Sequence, residues 1–154
     1  MPASCAQTRS VRTPVYTGPG INVTLREWVD QHKVQVPMDY AHPAHFAVDD
    51  LKYLLATIEY QEKGLFGWSE TMRVFSADEL YRVTPHLVNA FEQADPGKEI
   101  LFEVKSAKPG ALFSTERFTN GLMFVKDGKV NCLFTNVNVR PEPDLFDGNP
   151  RKYY

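Results

Sequence analysis

The chain has 154 residues, of which 43% are hydrophobic and 12% aromatic, enough to bury one sizeable core and too apolar for a disordered chain. Seventeen basic and nineteen acidic side chains leave a formal charge of −2. Neither sign forms a long run, which argues against a nucleic-acid partner. The longest apolar stretches fall short of the about 20 residues that a membrane-crossing helix needs.

Residues 1–20 hold Pro2, Pro14, Gly18, Pro19 and Gly20 and little apolar periodicity, and they read as a flexible tether. A globular part is expected over residues 21–139. Its first element is predicted as a short helix from Thr24 to His32, with Thr24 as cap, Glu27 three residues on, and Leu25, Trp28 and Val29 on one side. Pro37 and Pro43 then impose an extended connection. Asp49 and Asp50 can cap a helix carrying Leu51, Leu54, Leu55 and Ile58 at helical spacing. Thr57 to Tyr60 suits a strand equally well. The preferred reading ends the helix near Leu55, continues as a strand to about Glu62, turns through Lys63-Gly64-Leu65-Phe66-Gly67, and returns as a strand from Trp68 to Phe75.

Ser76 and Glu79 have the spacing of a capping box, followed by a stripe of Leu80, Val83, Leu87, Val88 and Phe91. Pro85 interrupts the stripe, so a kink, or a restart with Thr84 as cap, is expected. Alternation from Glu99 to Lys105 predicts a strand, broken by Lys108-Pro109-Gly110. Asp127-Gly128 marks a type I′ turn between two strands spanning Phe118 to Val137, with Val125 opposite Val130, Met123 opposite Cys132 and Leu122 opposite Leu133. Apolar residues on both faces of this hairpin predict a central or doubly covered position. Residues 140–154 hold three prolines and read as a tail. The whole is an α+β single domain, a mainly antiparallel sheet with helices packed on one face.

No motif in the chain carries recognisable chemistry, and no cofactor is expected. His42 and His45, with Asp39, Asp49 and Asp50 nearby, are residue types that bind transition metals. They lack the i, i+4 pairing of a metalloprotease helix and read as a solvated loop, so no metal is expected. Glu59 and Glu62 read as solvated charges rather than an acid and a base. There is no Gly-x-Ser-x-Gly elbow, phosphate loop or dinucleotide fingerprint. Cys132 lies in an apolar stretch and reads as a small buried hydrophobe. Nothing in the spacing suggests a disulfide with Cys5.

Pro2-Ala3-Ser4-Cys5 resembles the end of a bacterial envelope lipoprotein signal, in which small residues precede the cysteine that becomes lipidated. It departs from that pattern at Pro2, where a Leu-like residue is usual, and four residues are too few for a complete signal segment. The resemblance implies lipidation at Cys5, a location in the periplasm, and through Ala6 anchoring at the outer membrane. The alternative is a cytoplasmic protein. Membrane contact is expected only through a lipid anchor at Cys5.

Leu-Phe pairs recur beside turn residues, as Leu65-Phe66 with Trp68, as Leu112-Phe113, and as Leu145-Phe146 in the tail. Exposed apolar loops of this kind are interaction candidates. The functional expectation is a non-enzymatic binding or scaffold domain with an unidentified protein partner. The alternative is a small enzyme or ligand-binding domain whose site is assembled only in the fold.

Overall fold

Alternating apolar and polar residues build the largest element. In the computed structural model, which describes residues 7–108 and 115–140, five long strands form one antiparallel sheet. They are β1 (Arg9–Gly18), β2 (Ile21–Val29), β7 (Lys98–Lys108), β8 (Thr115–Lys126) and β9 (Lys129–Val139), in the spatial order β1-β2-β7-β8-β9. Between β2 and β7 the chain inserts helix α1 (Val48–Ala56), four two-residue strands and helix α2 (Ala77–Gln93). The short strands are β3 (Glu59–Tyr60), β4 (Lys63–Gly64), β5 (Gly67–Trp68) and β6 (Met72–Arg73). The protein is therefore an α+β single domain with two helices packed against one sheet.

One sheet face carries Ile21, Val23 and Leu25 opposite Val104, Phe102 and Ile100, and then Met123 beside Ile100. All are buried, and α2 covers them with Leu80, Val83, Leu87 and Phe91. Helix α1 packs on α2 and adds Leu51 and Leu55 to the same core. This is the period-2 face of a sheet meeting the period-3.6 stripe of a helix. The opposite face, with Thr24, Leu101, Leu122 and Leu133, has no helix over it among the described residues.

Two sequence expectations are corrected at the N-terminal end. Residues 9–18, expected as part of a tether, form β1 and pair with β2 along its length, with an irregularity between Pro14 and Tyr16. Residues 24–32, expected as a helix, lie mostly in β2, which is hydrogen-bonded on both edges. Strand pairing on two sides buries Ile21, Val23 and Leu25 together, and this outweighs the weaker helical spacing of Leu25, Trp28 and Val29.

Other elements fall where the residues place them. Helix α1 matches its expectation, although its N-cap is Ala47 with no side-chain bond. Asp49 and Asp50 instead occupy the first turn, where they favour the helix dipole. The Ser76–Glu79 capping box is present in full. Helix α2 runs through Pro85 as one element, so the restart at Thr84 does not occur. The Asp127-Gly128 turn has φ of 53° and 71°, as a type I′ turn requires, and all three expected cross-strand pairs are found. The hairpin it closes is not central: β9 is an edge strand.

Candidate functional site

The chain between α1 and α2 forms a slender hairpin. Its base pairs Glu59 with Arg73 and Tyr60 with Met72. In the middle, the Ser69 N–H donates to the carbonyl of Glu62 at 2.8 Å, and the Glu62 N–H donates to Ser69 Oγ at 2.9 Å. Lys63 and Gly64 then pair with Trp68 and Gly67, leaving Leu65 and Phe66 as the turn. Gly67 sits at φ 117°, a conformation essentially confined to glycine. Leu65 and Phe66 are fully exposed and Trp68 is 67% exposed, with Lys63 Nζ 5.9 Å from the Trp68 ring centre. Of the interaction residues expected from the sequence, these three are brought together at one tip. Leu112, Phe113, Leu145, Phe146 and Cys5 lie outside the described residues.

A second feature is a cleft of about 1020 Å³ where the end of α1 faces the start of α2. Apolar walls come from Ala56, Phe75 and Leu80, with Tyr53 and Tyr81 at the rim. Ser106 of β7 and Asn138 of β9 also line it. Most of its charges neutralise one another: Lys52 pairs with Asp49 at 2.7 Å and Arg82 with Asp78 at 2.9 Å. The Glu79 carboxylate accepts the Ser76 N–H at 2.7 Å. Arg73, also in the lining, has no ion pair among the described residues.

The histidines separate. His42, expected in a solvated loop, is buried. Its Nδ1 lies 2.8 Å from the carbonyl of Lys98, and its Nε2 lies 3.0 Å from the Val125 N–H. The first contact needs a proton on Nδ1 and the second needs a lone pair on Nε2, so the ring is neutral. Burial pushes its pKa below the ordinary histidine value. With both ring nitrogens engaged, His42 joins the 30–47 segment to β7 and β8. His45 is exposed and 3.8 Å from Glu92. His86 stacks on Tyr16 with ring centres 3.5 Å apart. Among the described residues no three metal-binding side chains cluster.

Sequence reasoning missed a network around Glu99. This buried carboxylate receives Arg26, the Trp28 indole N–H at 3.3 Å and the Tyr40 hydroxyl at 3.3 Å. Burial and the neighbouring carboxylate push the Tyr40 pKa up to about 12. The Glu99 signal is faint in the sequence: a carboxylate at an outward strand position is ordinary, and its three partners come from β2 and the following segment. Cys132 carries a free thiol whose pKa burial pushes up to about 12, which disfavours the reactive thiolate. Glu59 and Glu62 are both exposed. No family model, curated protein or solved structure matches the chain.

Proposed function

We propose that the protein is a non-enzymatic binding domain whose 59–73 hairpin docks its tip into an apolar pocket on a protein partner. The observation that carries this reading is the complete exposure of Leu65 and Phe66 beside a largely exposed Trp68. Burying an apolar side chain of this size is favourable by about 1.5–3 kcal/mol, so a pocket taking all three gains substantially. The hairpin is already hydrogen-bonded along its length, which lowers the ordering cost of association. Three carboxylates, Glu59, Glu62 and Glu70, stand against Lys63 and Arg73 on this hairpin. That balance supplies no attraction to an anionic bilayer and favours a protein partner. Leu112-Phe113 and Leu145-Phe146 belong to the proposal on sequence grounds alone.

The test uses a photo-crosslinking residue at position 66 in host cells, with position 81 as control. A discrete protein adduct at 66 supports the reading if the purified partner then binds the domain and Phe66→Ala weakens binding by more than about tenfold, the scale of a buried aromatic anchor. The same variant should melt within about 0.5 kcal/mol of wild type, since a fully exposed side chain has little to lose. Adducts with lipid alone, or unchanged affinity for Phe66→Ala, would sink the proposal.

Anchoring through Cys5 is a separate proposal, supported by the lipoprotein-like Pro2-Ala3-Ser4-Cys5. Because β1 starts at Arg9, only residues 6–8 lie between the anchor and the sheet, and the domain would sit close against the bilayer. Detergent partition of the natural gene product, lost in Cys5→Ser, tests it. A wild-type protein without acyl chains by mass spectrometry rejects it.

A further inference from the structure

We infer that the outer edge of β9 pairs with β9 of a second copy of this chain, joining two five-stranded sheets into one across a twofold axis. The two edges of the sheet are built differently. On β1, Arg9, Arg12 and Pro14 and the irregularity between Pro14 and Tyr16 are devices that keep another strand from adding: charge, a missing N–H and a broken register. On β9, Lys129 is the one charged residue, there is no proline, and the register with β8 is regular from Lys129 to Phe134. Among the described residues nothing pairs with its outer side. A long strand edge left unguarded in this way is a template for another chain.

The backbone groups on that side follow from β8. The Val125 N–H donates to His42 Nε2 at 3.0 Å, and the Val125 carbonyl accepts the Ala41 N–H at 2.8 Å, so both point away from β9. Val125 and Val130 are therefore an opposed pair without mutual hydrogen bonds, and the N–H and C=O of Val130 point away from β8. In a regular strand the same holds for every second residue, here Cys132 and Phe134. The side chains of Val130, Cys132 and Phe134 are partly buried at the margin of the core. Free backbone groups and half-covered apolar side chains thus come from the same residues.

The occupant follows from the residue order around Cys132. An antiparallel second copy centred there sets Cys132 opposite its own counterpart and Val130 opposite Phe134 of the second copy, with hydrogen bonds at each of these pairs. The apolar helix-side row then continues from one sheet into the other. On the open face Leu133, 51% exposed, lies beside Asn131 of the second copy, and Lys129 comes level with Thr135 rather than with another lysine. Such an isologous contact closes at two copies, and the edges it leaves are the guarded β1 strands. The sequence beyond β9 competes poorly for the same edge, because Pro141, Pro143, Gly148 and Pro150 are unsuited to a ladder strand.

Sedimentation of the full chain over a concentration series, under reducing conditions, is expected to show a monomer–dimer equilibrium. Asn131→Lys combined with Leu133→Lys sets like charges directly opposite one another across the new pairing. It should weaken the dimer by about tenfold or more, with the circular dichroism of the fold retained. Disulfide trapping reads the register. In a Cys5→Ser, Cys132→Ala background, a mixture of Asn131→Cys and Leu133→Cys chains should cross-link, and neither chain should cross-link alone. Only positions 131 and 133 then face each other within the about 4.4–6.8 Å Cα spacing of a disulfide. If the double-lysine chain fails to fold, the trapping decides on its own. Phe66→Ala should leave the equilibrium unchanged, which separates this interface from the hairpin tip. A chain that stays monomeric throughout the series, cross-links in another pattern, or a dimer lost with Phe66 and kept with both lysines would overturn the inference.

Discussion

His42 ties two distant strands through one neutral ring, and this makes stability depend on pH. In the unfolded chain a histidine titrates near about 6.5, while in the fold burial lowers the pKa of His42. The contribution is therefore complete above the unfolded value and is lost as pH falls toward the folded one, with a slope no steeper than about 1.4 kcal/mol per pH unit for one proton. Asp95 nearby opposes the shift, and His86, also lowered by burial, adds to the loss. Denaturant melts at pH 7.5 and 5.5 should show the protein weaker at the lower pH, and His42→Gln should flatten the difference. A wild-type stability that rises on acidification contradicts this account. Ser76→Ala should cost about 1 kcal/mol through loss of the cap, read from the same melts. These residues differ in how visible they are in the sequence. Ser76 and Glu79 are three residues apart and announce their bond, whereas His42 finds Lys98 and Val125 only once β7 and β8 are side by side.

At the scale of elements, the local signals proved the legible ones. The Asp127-Gly128 turn, the α2 cap and the alternation of β7 all depend on neighbours in the chain. The β2 strand depends on partners that the chain supplies on both sides, β1 before it and β7 far beyond it, and a stretch with mixed periodicity reads as a helix until those partners are known. The same holds for β1, whose Pro14 and flanking glycines suggest a loop although Arg9–Gly18 completes the sheet edge. A chain beginning at residue 21 should therefore lose cooperative folding or melt well below the full chain, since it uncovers one edge of β2. Equal melting temperatures would return these residues to the status of a tether. Gly128→Val should also destabilise clearly, because a β-branched residue is strained at the φ of 71° found there. The tip residues Leu65 and Phe66 were readable as a pair beside glycines. Their exposure was not, because it depends on how far the hairpin projects.

For the whole molecule, the two sheet faces have different characters. The helix side is mainly apolar, with Thr119 its buried polar residue opposite Val104, while the other side carries Arg26, Glu99, Leu101 and Glu103 together. On that side Glu99 is buried under Arg26, Trp28 and Tyr40, and Tyr40 itself stacks on Phe124 with ring centres 4.6 Å apart. Removing one member of such a pair strands the other charge. Glu99→Ala should cost about 3 kcal/mol, and adding Arg26→Ala to it should cost less than the sum of the two single changes. Additive losses in that double-mutant cycle would mean that the pair has no coupling of its own. The cleft shares this long-range origin, for Arg73, Ser106 and Asn138 come from three different strands and line it together only in the finished fold.

Placing both helices between β2 and β7 also sets an order of events during synthesis. The β1–β2 hairpin leaves the ribosome first, yet the strand that must lie against its inner edge is made only after residues 30–97. Until then Ile21, Val23 and Leu25 lack their β7 neighbour, and until residues 77–93 are made they lack the covering α2 stripe as well. A nascent chain stalled before β7 thus presents an unpaired apolar edge, the condition under which chains aggregate or recruit chaperones. Sequence-distant closure of this kind is slow compared with the local pairing of β8 and β9. The last three strands can zip together quickly once made, and the rate at which they capture the waiting N-terminal hairpin governs how long newborn protein stays vulnerable.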